Sequence, residues 1–168
     1  MSVGKTTLVN ALKELKQFKD YKFATERSQH LMSLGIPLNT DSTLKGQTVF
    51  LAERCGELMH DNIITDRTVV DVMAFTMNAK SIPHQDKESF ETYANEFIRE
   101  YDYIFYISPH GIEIEDNGVR ETDEHYRDLI DFTITTLIKR YGHKCNIVEK
   151  ISGSTEERIQ QILNITGL

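Results

Sequence analysis

Apolar residues in this chain switch between short clustered runs and longer stretches spaced by three and four, and the switching outlines its elements. Leu8, Leu12, Leu15 and Phe18 recur at helical spacing and predict a helix over residues 5–19. Residues 21–25 form a short strand candidate ending at Glu26-Arg27, and the helix that follows to residue 34 is stopped by Gly35 and Pro37. Thr40-Asp41-Ser42-Thr43 supplies N-cap chemistry for a longer helix to residue 60, with Val49, Ala52 and Gly56 inside it. Asn62-Ile63-Ile64-Thr65 reads as a second strand ending at Asp66-Arg67, after which Val69, Val70, Met73 and Ala74 return to helical period. A helix over residues 87–100 leads into the clearest strand, Tyr103-Ile104-Phe105-Tyr106-Ile107, and Pro109, Gly111 and Gly118 then bracket an acidic loop. Thr122 caps a long helix with Tyr126, Ile130, Ile134, Leu137, Ile138 and Tyr141 on one face. Cys145-Asn146-Ile147-Val148 is the last strand, and residues 155–163 form the closing helix.

Strands alternating with helices predict an α/β fold, a mainly parallel sheet with helices on both faces. Ligands of such sheets sit at the carboxyl ends of the strands. Glu26-Arg27, Asp66-Arg67, Ser108 and Ser152-Gly153-Ser154 all fall at such ends.

Composition narrows the class without naming a chemistry. The 168 residues suit one domain, with no repeat, linker or low-complexity tract. Apolar content is 39% and mean hydropathy is −0.40. No apolar run approaches the ~20 residues that span a bilayer, and no signal peptide is visible, so a soluble, cytoplasmic protein without a membrane partner is expected. The two cysteines, Cys55 and Cys145, read as buried thiols in a reducing compartment, and the six histidines are scattered without zinc spacing. Net charge is −7, from 26 acidic and 19 basic residues. That balance disfavours broad nucleic-acid binding, which relies on neutralising phosphates, while leaving room for a local anion site.

The chemistry begins at the amino end. Ser2-Val3-Gly4-Lys5-Thr6-Thr7-Leu8 is the back half of the phosphate-binding motif G-x-x-x-x-G-K-[ST]. In that motif backbone N–H groups and a helix N-terminus cradle phosphates, the lysine reaches the β/γ-phosphates and the threonine hydroxyl ligands Mg²⁺. The first glycine of the motif belongs five residues before Gly4, behind an apolar strand; neither is in this sequence, so the first strand of the fold is expected to be truncated.

Asp66-Arg67 pairs an acid with a guanidinium at a strand end, as phosphoryl transfer requires, and Glu26-Arg27 repeats the pairing at another. Either pair can hold the base, and a surface salt bridge is the plain alternative. Asp71 points elsewhere on its helix and suits a supporting or structural role. Asp116-Asn117-Gly118-Val119-Arg120, followed by Arg127, reads as a lid whose arginines close over a γ-phosphate, or as a solvated helix start in which acids pair with them.

Gly4-Lys5-Thr6-Thr7, Glu26-Arg27, Asp66-Arg67-Thr68-Val69-Val70-Asp71 and Asp116-Asn117-Gly118-Val119-Arg120 with Arg127 occur in a telling order. In that order they resemble the AAA-domain P-loop kinases related to the ribosylnicotinamide kinase module of bacterial NAD regulators. Similar sequences are common among bacteriophage nucleotide and modified-DNA-base kinases. The resemblance spans nearly the whole chain and implies a single P-loop kinase-like domain over residues 1–168, a three-layer sandwich with a lid around residues 110–127. It implies Lys5 and the loop amides of Ser2, Val3, Gly4, Thr6 and Thr7 on the phosphates of ATP, with Thr6 on Mg²⁺ and Asp66 near the metal or acceptor. Arg67 would lie on the acceptor side, Arg120 and Arg127 in the lid, and Ser152-Gly153-Ser154-Thr155 beside the adenine. Because the truncated strand is central in this fold, a monomer is expected to be marginal or rescued by another chain, as in a homo-oligomer.

The leading expectation is a Mg²⁺-dependent kinase that moves the ATP γ-phosphate to a hydroxyl or phosphate of a nucleoside-like small molecule, since lid and Asp-Arg pairs favour transfer over plain hydrolysis. A second is a kinase of hydroxymethylated bases in phage DNA, served by a basic groove of Lys13, Lys16 and Lys19. A third is a nucleotide-binding regulatory module with little turnover.

Overall fold

Residues 4–25, 28–109 and 124–168 are described by the computed structural model. Their elements run α1 (Lys5–Lys13), β1 (Lys22–Ala24), α2 (Ser28–Ser33), α3 (Leu44–Glu57), β2 (Ile63–Thr65), α4 (Val69–Asn78) and α5 (His84–Ala94). The second half adds β3 (Tyr103–Ile107), α6 (Glu124–Tyr141), β4 (Ile147–Ile151) and α7 (Thr155–Thr166).

Side chains of successive strand residues point to opposite faces, and here both faces are apolar. On β3, Ile104 joins a cluster with Val70, Met73 and Ile130, whereas Phe105 and Ile107 join a second cluster with Leu8, Leu12 and Ile162. On β4, Val148 belongs to the first cluster and Ile151 to the second. The first cluster is roofed by α3, α4, α5 and α6, and the second by α1 and α7. Helices therefore cover both faces of the strands in a three-layer α/β arrangement, as a P-loop fold requires.

All strand pairing is parallel. β1 lies beside β2 with Phe23 opposite Ile64, and β3 beside β4 with Phe105 opposite Glu149. The expected mainly parallel sheet is thus divided into two two-stranded sheets. Between them lies a cavity of about 390 Å³, lined by residues of both β2 and β3 and by Leu8, Leu12 and Ile138. Among the described residues no strand bridges β2 and β3, so each offers an edge without a ladder partner there.

Three elements differ most from the sequence reading. The first helix ends at Lys13 rather than residue 19, because Leu15 is extended; Phe18 still reaches the core from a 3₁₀ turn, Lys16–Phe18. The fifth helix starts at His84 and ends at Ala94, and Asn95–Glu100 is a 3₁₀ helix. The last strand is Ile147–Ile151, not residues 145–148. Its Glu149 and Lys150 are exposed, but Ile151 beyond them is 1% exposed. Cys145 stands before the strand, its Sγ 3.1 Å from the Tyr101 carbonyl oxygen.

Candidate functional site

The start of α1 is built to be open. Gly4 caps the helix at φ 72°, a left-handed conformation that glycine alone adopts without strain. It contributes no side-chain cap, and no acidic residue occupies the first turn. The helix therefore presents uncapped amides and the positive end of its dipole to whatever lies before it. Thr6 and Thr7 are exposed there and Lys5 is half-buried. Arg158 of α7 flanks the turn, since a Cβ on Gly4 would lie 3.4 Å from its Nη1.

The carboxyl end of β2 meets this helix start. The Asp66 N–H donates to the Ala24 carbonyl at 2.8 Å, extending the β1–β2 ladder by one bond. Asp66 is 2% exposed, and its Oδ2 accepts a 2.7 Å hydrogen bond from Thr6 Oγ1. Its Oδ1 is buried without a hydrogen-bond partner. A buried carboxylate oxygen lacking a donor is costly unless a cation or water meets it. Thr6 and Asp66, the two residues expected on Mg²⁺, thus converge, and the donor set of one hydroxyl and one carboxylate suits that hard ion. No group of three His, Cys, Asp or Glu side chains that could hold a metal occurs among the described residues. Phosphate and water would therefore complete the shell.

Arg67 follows in an unusual backbone conformation, φ 93°, which costs a non-glycine residue energy and points to a constraint imposed by the surroundings. Two contacts hold it: Thr65 Oγ1 donates to its carbonyl at 2.8 Å, and its guanidinium stacks 5.2 Å from the centroid of Phe75. Arg54 of α3, 4% exposed, donates from Nη1 to the Asp66 carbonyl at 3.3 Å and from Nη2 to Glu57 at 2.7 Å. Asp71 closes a capping box with Thr68, its Oδ2 accepting from the Thr68 N–H at 2.9 Å, so its role is to start α4.

Other expected residues divide by position. Ser152 and Gly153 follow β4, where Ser154 and Glu157 form a capping box at the start of α7. Through Arg158, the same helix reaches the Gly4 turn. Arg127, in the first turns of α6, is 13% exposed and 3.7 Å from Asp128, and it lines neither the β2–β3 cavity nor the recess beside Arg67. Lys13, Lys16 and Lys19 are exposed but lie at or beyond the carboxyl end of α1, about 10 Å along the axis from Thr6. A basic groove there would not adjoin the Thr6–Asp66 junction. Ser2, Val3, Glu26, Arg27 and Arg120, with the rest of residues 110–123, lie outside the described residues.

Several side chains near the site carry no sequence signal of their own. Arg54, Gln47 and Ser42 are polar residues whose burial arises only from tertiary packing, and Phe75 looks like one more core aromatic. Arg158 had a cue in its position four residues after the Ser154 cap. Tyr106 of β3 donates to Asp131 Oδ1 at 2.7 Å; burial first, and then that bond, pushes its hydroxyl up to about 12, so it stays a neutral donor at neutral pH.

The model of the AAA domain family matches residues 1–158 of the chain. No curated protein and no solved structure matches it. No described helix is long and apolar enough to cross a membrane.

Proposed function

The chain belongs to the AAA domain family, whose P-loop architecture binds nucleotide with Mg²⁺, and on that premise we propose that it transfers the γ-phosphate of ATP to a hydroxyl or phosphate of a nucleoside-like acceptor. The observation that carries this reading is the junction of Thr6 with the buried Asp66, beside the strained, stacked Arg67. Phosphoryl transfer asks little covalent chemistry of a protein and much positioning of charge. The open amides of α1 and Lys5 hold the donor phosphates. Thr6 and Asp66 would hold Mg²⁺, which when bound would neutralise charge on the phosphate oxygens. Arg67 steadies the transferring group from the acceptor side. As the acceptor oxygen bonds to the γ-phosphorus, the bond to the β–γ bridging oxygen breaks, and the acceptor proton passes to Asp66 or Glu26, the two strand-end carboxylates. Arg120 would shield the donor from water as a lid residue.

A second reading is a nucleotide-binding regulatory module with little turnover, favoured by the cavity that leaves β2 and β3 unbridged beneath α1. One experiment separates the two: ADP release measured with nucleosides, nucleoside monophosphates, nicotinamide riboside and hydroxymethylated DNA. The kinase reading expects Mg²⁺-dependent release stimulated by one acceptor class. Stoichiometric ATP binding without product across the whole panel would overturn it.

A further inference from the structure

Beside Arg67, residues of α3 and α4 line a recess of about 50 Å³ whose walls include Ser42, Gln47, Phe50, Arg54, Arg67 and Phe75. Two of its polar atoms, Ser42 Oγ and Arg67 Nε, are buried without a hydrogen-bond partner. Gln47 is 4% exposed, and its carboxamide makes no hydrogen bond to a described residue. Ser42 is 1% exposed with no partner for its Oγ, and Arg67 Nε is likewise buried without one. Burying a hydroxyl and a guanidinium N–H without hydrogen bonds is destabilising relative to apolar residues of the same shape. The backbone that places them is firmly held. Ser81 Oγ donates to the Ser42 carbonyl at 2.7 Å, and Thr43 caps α3 through the Gly46 N–H at 3.1 Å. Gly46 sits so close to Ile36 that a Cβ would lie 3.0 Å from its Cγ2, which seats the first turn of α3 tightly beside Gln47.

The walls tell what ligand would satisfy these groups. Phe50 and Phe75 are apolar and flat, and the Phe75 face already carries the planar Arg67 guanidinium. A carboxamide offers a donor and an acceptor side by side. We propose that this recess binds the ring of the acceptor, a planar heterocycle that presents an adjacent hydrogen-bond donor and acceptor to Gln47. A nucleobase or a carboxamide-bearing ring has that edge. The recess admits the polar edge of the ring, with Ser42 completing the hydrogen bonding, and the rest of the molecule crosses its mouth towards Arg67 and Asp66. Naming this ligand the acceptor rests on the kinase reading, whereas the ring chemistry rests on the recess alone.

The test is equilibrium binding without ATP, by calorimetry and thermal shift. The probes are adenosine, guanosine, cytidine, thymidine and nicotinamide riboside, with ribose and 1-phenylriboside as controls that lack the edge. The two kinds of ring are separated by whether a nucleobase nucleoside or nicotinamide riboside binds tighter. The native chain should bind one edge-bearing probe at least tenfold tighter than either control. Gln47→Leu should lose at least tenfold of that affinity while its Tm holds or rises and its Mg²⁺-ATP affinity stays unchanged. Ser42→Ala, a smaller change, should lose about threefold or more. Native binding no tighter than that of the controls would overturn the inference, as would full affinity in both variants. A chain that binds a nucleoside through Gln47 yet transfers no phosphate would refute the kinase reading alone. A chain that transfers phosphate equally well with Gln47→Leu would refute this inference alone.

Discussion

Thr6 Oγ1 lies 2.7 Å from Asp66 Oδ2, a bond across 60 positions of sequence that ties the first turn of α1 to the carboxyl end of β2. It joins the two groups proposed for the Mg²⁺-nucleotide, and among the described residues it gives the buried Asp66 its side-chain donor. Thr6→Ala should therefore act twice. Loss of the donor should lower stability by about 1–3 kcal/mol, the usual range for a buried polar group left unsatisfied. Mg²⁺-ATP affinity should fall by roughly tenfold, about 1.4 kcal/mol, with a smaller change for metal-free ATP. Denaturant melts and paired titrations measure both. Equal losses with and without Mg²⁺ would remove Thr6 from the metal site.

Arg67 offers a way to separate function from folding. Its φ of 93° is a conformation that glycine adopts freely. Arg67→Gly should relieve backbone strain of about 1–3 kcal/mol, offset in part by the chain entropy of glycine and the lost contact with Phe75. Tm should hold or rise while kcat falls by roughly 10²-fold or more, as when one preorganised charge donor is removed. A marked loss of Tm with turnover intact would make Arg67 a structural residue.

Gly153 tests the turn after β4. Its φ is 93°, and a Cβ there would meet Glu157 Oε2 at 2.2 Å, the same oxygen that accepts from the Ser154 N–H at 2.7 Å. Gly153→Ala should strain the backbone and open the capping box of α7, costing about 1–3 kcal/mol. ATP affinity should fall with it, because α7 carries Arg158 to the Gly4 turn. Unchanged Tm and ATP affinity would show that this turn yields easily and lies apart from the nucleotide.

The elements and the site were legible to different depths. β3 announced itself because its five consecutive residues are aliphatic or aromatic, and Ile104, Phe105 and Ile107 among them pack into the clusters on the two faces. β4 was ended three residues early because Glu149 and Lys150 are charged and exposed on a strand whose last residue, Ile151, is deeply buried. The shortened α1 was hidden because Phe18 reaches the same apolar cluster from a 3₁₀ turn. At the site, Thr6 and Asp66 were readable because a motif and a strand end marked them. Gln47, Ser42 and Arg54 were not, since nothing in a local pattern reports that a polar side chain will be enclosed by another helix.

The divided sheet makes a prediction for amide exchange. Residues of a parallel strand direct their N–H groups alternately to the two sides. In β2 and β3, amides bonded to β1 or β4 should be protected, and those facing the cavity should exchange faster by orders of magnitude. Hydrogen exchange resolved by residue checks this. Uniform protection along Tyr103–Ile107 would show the cavity-facing edge to be paired in solution.

The central claim is transfer of phosphate from a donor seated at Lys5, Thr6 and Asp66. The direct measurement follows γ-labelled ATP, with Mg²⁺ and the acceptor panel, in native protein and in Lys5→Ala checked for native folding. Label should appear on one nucleoside-like acceptor with the native chain, and transfer by Lys5→Ala should drop by roughly 10²-fold or more, because the γ-phosphate loses its fixed cation as charge redistributes. Label found only as inorganic phosphate, or full transfer by Lys5→Ala, would contradict it.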